Sequence, residues 1–117
     1  MKQGEFWRYA QQRPARDDDE RTPYRIILTA TPNLASGKKW VRVARIENRD
    51  PGLLTSVALG DSDPIPGWVR TDQIDTVYVP WLTDDQGQQS PIGECSLDTW
   101  REIRTRLRAE FGLFGDD

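Results

Sequence analysis

Two absences limit the chemistry open to this chain. Its 117 residues contain no histidine and one cysteine, Cys95. Ser-His-Asp triads, imidazole general bases and histidine-ligated zinc are therefore excluded. A single cysteine closes no internal disulfide and builds no Cys-rich metal site. As a nucleophile it would have no imidazole to activate it, so Cys95 reads as a small residue ahead of a helix. What remains is guanidinium, ammonium and carboxylate chemistry, unevenly spread. Residues 1–49 hold 11 Lys/Arg and 6 Asp/Glu, whereas residues 50–117 hold 5 and 13. Four of the six early acids are contiguous, Asp17, Asp18, Asp19 and Glu20. The net charge of −3 argues against nonspecific nucleic-acid binding. The basic N-terminal part still permits a local phosphate-binding face, although solvated charge is the commoner origin of such asymmetry.

The elements that must position these groups can be read from periodicity and turn residues. Phe6–Tyr9 reads as a short strand begun after Gly4. Residues 10–22 are polar, charge-dense and free of core residues, as in an exposed loop. Tyr24–Thr29 (YRIILT) is rich in β-branched residues and reads as a strand, ended by a turn at Pro32, Asn33, Ser36 and Gly37. Trp40–Ile46 (WVRVARI) alternates Trp40, Arg42, Ala44 and Ile46 with Val41, Val43 and Arg45. Neither face is cleanly polar, so both are expected to be covered. A turn at residues 48–52, a strand at Leu53–Leu59, a loop at residues 60–64, and strands at Trp68–Arg70 and Ile74–Val79 follow. After a polar loop at residues 83–91 the period changes. Leu97, Trp100, Ile103, Leu107 and Phe111 form one helical stripe, with Ser96 as N-cap and Gly112 at the stop. Asp98 and Glu102 precede Arg101 and Arg106 at supportive spacings.

This layout predicts one mainly β domain over residues 1–117. A small curled antiparallel β-barrel over about residues 3–82 would carry a C-terminal α-helix over about residues 96–112. A chain of this length buries roughly two-thirds of its unfolded surface, enough for a core. No stretch approaches the ~20 apolar residues of a membrane helix. MKQGEFWRYA lacks the apolar run of a signal peptide. A soluble, cytoplasmic protein without membrane contact is the expectation.

The order of short motifs resembles the MazF/PemK family of toxin endoribonucleases. Asp72-Gln73-Ile74-Asp75-Thr76-Val77, a polar loop, Ile92-Gly93, Leu97 and a Leu/Arg-rich helix ending at Gly112-Leu113 follow the family order. Gly4-Glu5-Phe6-Trp7 resembles its opening strand, Arg25–Pro32 its second strand and Val41–Asn48 its third. Each motif is short and degenerate; their shared order over nearly the whole chain carries the resemblance. It implies an SH3-like barrel of the CcdB/MazF type with a C-terminal helix. It further implies a homodimer that cuts single-stranded RNA without metal or other cofactor, leaving a 2′,3′-cyclic phosphate and a 5′-hydroxyl, and that is neutralised by a MazE-like antitoxin. That antitoxin's acidic tail would suit a basic N-terminal region.

The resemblance assigns residues one by one. The family's catalytic arginine matches Arg25, with Arg21 as the rival if Pro23 is the family proline; Arg25 needs no gap downstream. The family threonine at the end of the third strand is replaced by Glu47, followed by Asn48. A carboxylate there can act as general base on the 2′-hydroxyl while Arg25 faces the phosphate. Arg21, Arg45, Asn48 and Arg49 are candidate RNA-binding residues, with Lys38 and Lys39 beside them, and Trp40, Trp7, Trp68 and Trp81 are candidate base platforms. A different reading keeps the barrel without cleavage: Glu47 and the acidic loop would leave a homodimeric module binding RNA or a protein tail. A gyrase poison of the CcdB type is a third reading, which the loose, acidic C-terminus (LFGDD) does not favour.

Overall fold

The computed structural model describes residues 1–10, 21–34, 37 and 39–111. Seven strands and two α-helices follow in the order β1 (Glu5–Tyr9), β2 (Arg21–Ile27), α1 (Thr31–Leu34), β3 (Trp40–Glu47), β4 (Ser56–Ala58), β5 (Trp68–Tyr78), β6 (Leu82–Thr83), β7 (Gly93–Glu94) and α2 (Leu97–Phe111). All pairings are antiparallel, in the order β4-β5-β3-β2-β1-β6, with β7 also on β1. The antiparallel sheet with its C-terminal helix is the expected architecture. The strands do not close a ring, because among the described residues β4 and β6 remain unpaired to each other.

The sheet nonetheless curls. A single 3-10 turn, Val79–Trp81, carries the chain from β5 to β6, four strand positions away. Flat strands that far apart would be about 19 Å distant, whereas the chain from Tyr78 to Leu82 reaches at most about 14 Å.

Both sheet faces are covered, as the mixed alternation of β3 suggests. One face packs Phe6, Ile26, Ala44, Ile46, Val57, Val69 and Ile65 against Ile103 of α2. The other gathers Trp7, Ile27, Val41, Val43 and Val77 around Leu82 inside the curl. Helix α2 starts as its sequence predicts: Ser96 Oγ accepts the Thr99 amide at 3.2 Å. Asp63 anchors the cap from a distant loop, accepting from the Ser96 amide at 2.7 Å and the Thr99 hydroxyl at 2.6 Å.

Several expected elements change. Leu97 is 64% exposed and leaves the helical stripe. The cap network turns Thr99 inward, and two residues of helix, about 200°, then point Leu97 away. Leu53 and Leu54 are exposed rather than in a strand. Ser56 bonds back to the Leu53 carbonyl through its amide at 3.1 Å and its hydroxyl at 2.7 Å, so a turn precedes a shorter β4. The two expected strands at residues 68–79 are one strand, β5, with an irregular register. Residues 21–22 belong to β2, not to the preceding loop. The acidic run 17–20, Ser36, Lys38 and Gly112 lie outside the described residues.

Candidate functional site

Sheet register assembles the charged site. Trp7 pairs with Arg25, Arg25 with Arg45, and Arg45 with Arg70, so three guanidinium-bearing residues stand side by side across β2, β3 and β5. Opposed positions on paired strands lie about 5 Å apart at Cα and share a face. The alignment of Arg70 depends on a bulge. Ala44 pairs with Ile74 and Arg45 with Arg70, which leaves Thr71, Asp72 and Gln73 without partners on β3. Thr71 is fully buried there and donates to the Thr55 carbonyl at 2.5 Å.

Like charges in opposed positions repel, and each arginine is held differently against that repulsion. Arg45 donates to Asp75 through Nε at 2.7 Å, an ion pair open to water on both sides. Arg70 makes a two-point contact with Asp72, at 2.8 and 2.7 Å, and donates through Nη1 to Glu47 Oε1 at 2.8 Å. Hydrogen bonding by Asp72, against the cost of burial, raises the Arg70 pKa further still. The same bond with Arg70 holds the Asp72 carboxyl below the usual carboxylate range. Arg25 is only 3% exposed. Its Nη1 donates to the carbonyls of Thr22 and Tyr24 at 2.9 and 2.8 Å, and its Cζ sits 5.5 Å from the Tyr9 ring centroid. Burial, then the neighbouring Arg45, pushes its pKa down to about 10.

The sequence-predicted residues therefore converge in part. Arg25, Arg45 and Glu47 occupy one face: Arg25 faces Arg45, and Glu47 follows two positions on along β3. Glu47 is not a solvated carboxylate. Its side chain is 12% exposed, Oε1 is engaged by Arg70, and Oε2 is buried with no hydrogen-bond partner. The register sets Arg21 opposite Glu47. Asn48 and Arg49 are exposed where β3 ends. Sequence reasoning missed Arg70, Asp72 and Asp75. Only a bulge invisible in the pattern makes Arg70 a neighbour of Arg45. The one available signal was the Arg70-x-Asp72 spacing inside a strand, which places opposite charges on one side. Among the described residues no three His, Cys, Asp or Glu side chains gather as metal ligands, and no helix is long and apolar enough to cross a membrane.

Comparison with known proteins rests on shape. No protein-family model matches the sequence, and no curated protein sequence matches it. Solved structures do. An endoribonuclease from a mycobacterial species, in complex with its cognate antitoxin, superposes with a TM-score of 0.76 at 24% identity, covering 97% of this chain and 96% of that one. MazF in a MazE–MazF complex from Deinococcus radiodurans matches at 0.69 and 15%, over 97% of each chain. The Mycobacterium tuberculosis toxin MazF-mt6 matches at 0.65 and 21%, over 92% of this chain and 96% of that one. The chain thus has the fold of the MazF toxins over nearly its entire length.

Proposed function

We propose that this chain is a MazF-like toxin, an endoribonuclease that cleaves single-stranded RNA without a metal ion. It works as a homodimer in the cytoplasm and is neutralised by a MazE-like antitoxin. The reading is carried by the in-register row of Arg25, Arg45 and Arg70 with the Glu47 carboxylate on the same face. Its occurrence on a fold shared with solved endoribonucleases supports the same reading.

The chemistry follows from these groups. The 2′-oxygen of a nucleotide attacks the adjacent phosphorus while Glu47 takes the hydroxyl proton, a role that requires the incoming strand to bring the 2′-hydroxyl against Oε2, which is buried in the free chain. The new O2′–P bond forms as the P–O5′ bond breaks, and the leaving oxygen takes a proton from solvent to become a 5′-hydroxyl. The crowded phosphorane carries extra negative charge, which Arg25 and Arg45 meet with planar donors. Burial and Arg45 both disfavour the charge on Arg25. A phosphodiester brought against it would favour the charged form of this guanidinium. Arg70 orients Glu47 through Oε1. Arg21, Asn48 and Arg49 contact the flanking backbone. An acidic antitoxin segment would compete for the same cations.

The test is incubation with mixed single-stranded RNA in EDTA. Discrete fragments ending in 2′,3′-cyclic phosphate are expected. Intact RNA would overturn the proposal in favour of a non-cleaving module. A Glu47→Gln protein that cuts at the wild-type rate would remove Glu47 from the role of base.

A further inference from the structure

Four aromatic rings run in contact round the end of the curled sheet. Tyr9 and Trp81 have centroids 6.3 Å apart, Trp81 and Tyr78 5.5 Å, and Tyr78 and Trp40 5.1 Å. All three separations fall in the range of favourable ring pairs. The backbone builds the row deliberately. Trp40 and Tyr78 are register partners at the ends of β3 and β5. The 3-10 turn then carries Trp81 back, and its carbonyl accepts the Ala10 amide at 2.8 Å, which fixes the end of β1 next to Tyr9.

Tyr9 rests against the core inside the curl, but the two tryptophans do not fill the interior. Val41, Val77 and Leu82 do that at this end of the sheet. Trp40 is 56% and Trp81 40% exposed. Contiguous exposed aromatics mark a contact surface. Its surroundings say what kind. The row begins under Arg25, whose guanidinium lies over Tyr9 on the arginine face; Trp40, Tyr78 and exposed Arg42 project from the opposite face, so the row turns the edge of the sheet, with exposed Lys39 next to Trp40. Protein interfaces enrich arginine beside tyrosine and tryptophan but deplete lysine, and Lys39 stands next to Trp40 here. Ring faces beside backbone-binding cations are instead the pattern that holds unpaired bases.

We infer that Tyr9, Trp81, Tyr78 and Trp40 form a stacking platform for the unpaired bases of the single-stranded RNA whose phosphates lie over the arginine row. This rests on the nuclease reading and extends it, since it assigns the bases a path that the cations do not supply. Stacking on ring faces tolerates any base, so the platform contributes affinity and direction along the strand more than sequence choice.

The test uses a labelled 2′-O-methyl oligoribonucleotide of mixed sequence, which lacks the nucleophile, and an abasic oligomer of equal length. Both are titrated against the full chain by fluorescence anisotropy. Trp40→Ala and Trp81→Ala should each weaken the base-bearing oligomer by about tenfold, and Trp40→Phe by no more than about threefold. Affinity for the abasic oligomer should stay at the wild-type value. Equal loss on both probes, or no loss on the base-bearing one, overturns the platform while leaving the nuclease reading intact. Wild-type protein that binds neither probe overturns the nuclease reading itself. A Trp40→Ala protein with unchanged RNA affinity but an altered sedimentation coefficient assigns the rings to contact between copies of the chain, and also overturns the platform.

Discussion

At the scale of single residues, the Glu47 carboxylate depends on Arg70. A buried carboxylate with one oxygen unsatisfied survives because its other oxygen accepts a charge-assisted bond. Removing Arg70 leaves both Glu47 and Asp72 without their guanidinium. Arg70→Ala is expected to cost about 2 kcal/mol, read as a lower urea midpoint at unchanged m. Glu47→Gln should cost less, because an amide oxygen still accepts from Arg70. The double variant should fall short of the sum, since both changes break one network. Additivity would show that the two side chains do not act together. The pair with Asp72 also has a pH signature. Its carboxyl is lowered in the folded state, so its contribution is complete above the unfolded value of about 3.9. It fades as pH falls through the lower folded value.

At the scale of elements, Gly67 shows how closely the site depends on its backing. Its φ is +135°, and a Cβ there would stand 2.6 Å from the Glu47 carbonyl oxygen. Gly67→Ala is therefore expected to cost more than about 1 kcal/mol and to displace the end of β3 with the Glu47 carboxylate. Cleavage should fall further than stability alone explains, measured as kcat at a temperature where the variant is fully folded. The helix start gives a second prediction. Ser96→Ala loses one cap bond, about 1 kcal/mol. Asp63→Asn should cost at least as much, because Asp63 serves Ser96, Thr99 and Gly60 together. Burial alone would raise the Asp63 pKa, but those hydrogen bonds outweigh it and leave it lowered. Wild type should thus lose stability as pH falls below about 3.9, and the Asn variant should lose less over the same range. Equal acid slopes in urea titrations would contradict this.

These elements also mark where sequence patterning succeeds. The helix, its cap and strands β1 and β3 were legible, because each has a period or a cap whose physics is local. The bulge in β5 was not. Nothing in Thr71-Asp72-Gln73 distinguishes three residues without partners on β3 from a break between two strands. The two-residue strands β6 and β7 exist only through their pairing with β1. The grouping of charged side chains in the candidate site was half legible for the same reason. Arg25 and Glu47 were singled out through motif order and Arg45 through the basic character of the N-terminal half, whereas Arg70 became a neighbour only through the register.

At the scale of the whole molecule, a net charge of −3 must coexist with the proposed binding of RNA. The arginine row resolves this only locally, and its own carboxylates oppose it. Asp75 holds Arg45 in an ion pair whose partners are 40% and 35% exposed. Such a pair contributes at most about 1 kcal/mol to stability, yet Asp75 offsets part of the charge with which Arg45 would attract a phosphate. Asp75→Asn should therefore leave the urea midpoint nearly unchanged while tightening the 2′-O-methyl oligomer several-fold, roughly the gain from one uncompensated cation. Releasing Arg45 to neutralise one more phosphate should steepen the dependence of log K on log salt by about 0.7. Arg45→Gln should do the reverse. If Asp75→Asn binds with wild-type affinity and slope between low and physiological salt, Arg45 makes no contact with the strand, and the phosphates follow Arg25 and the β3 end alone.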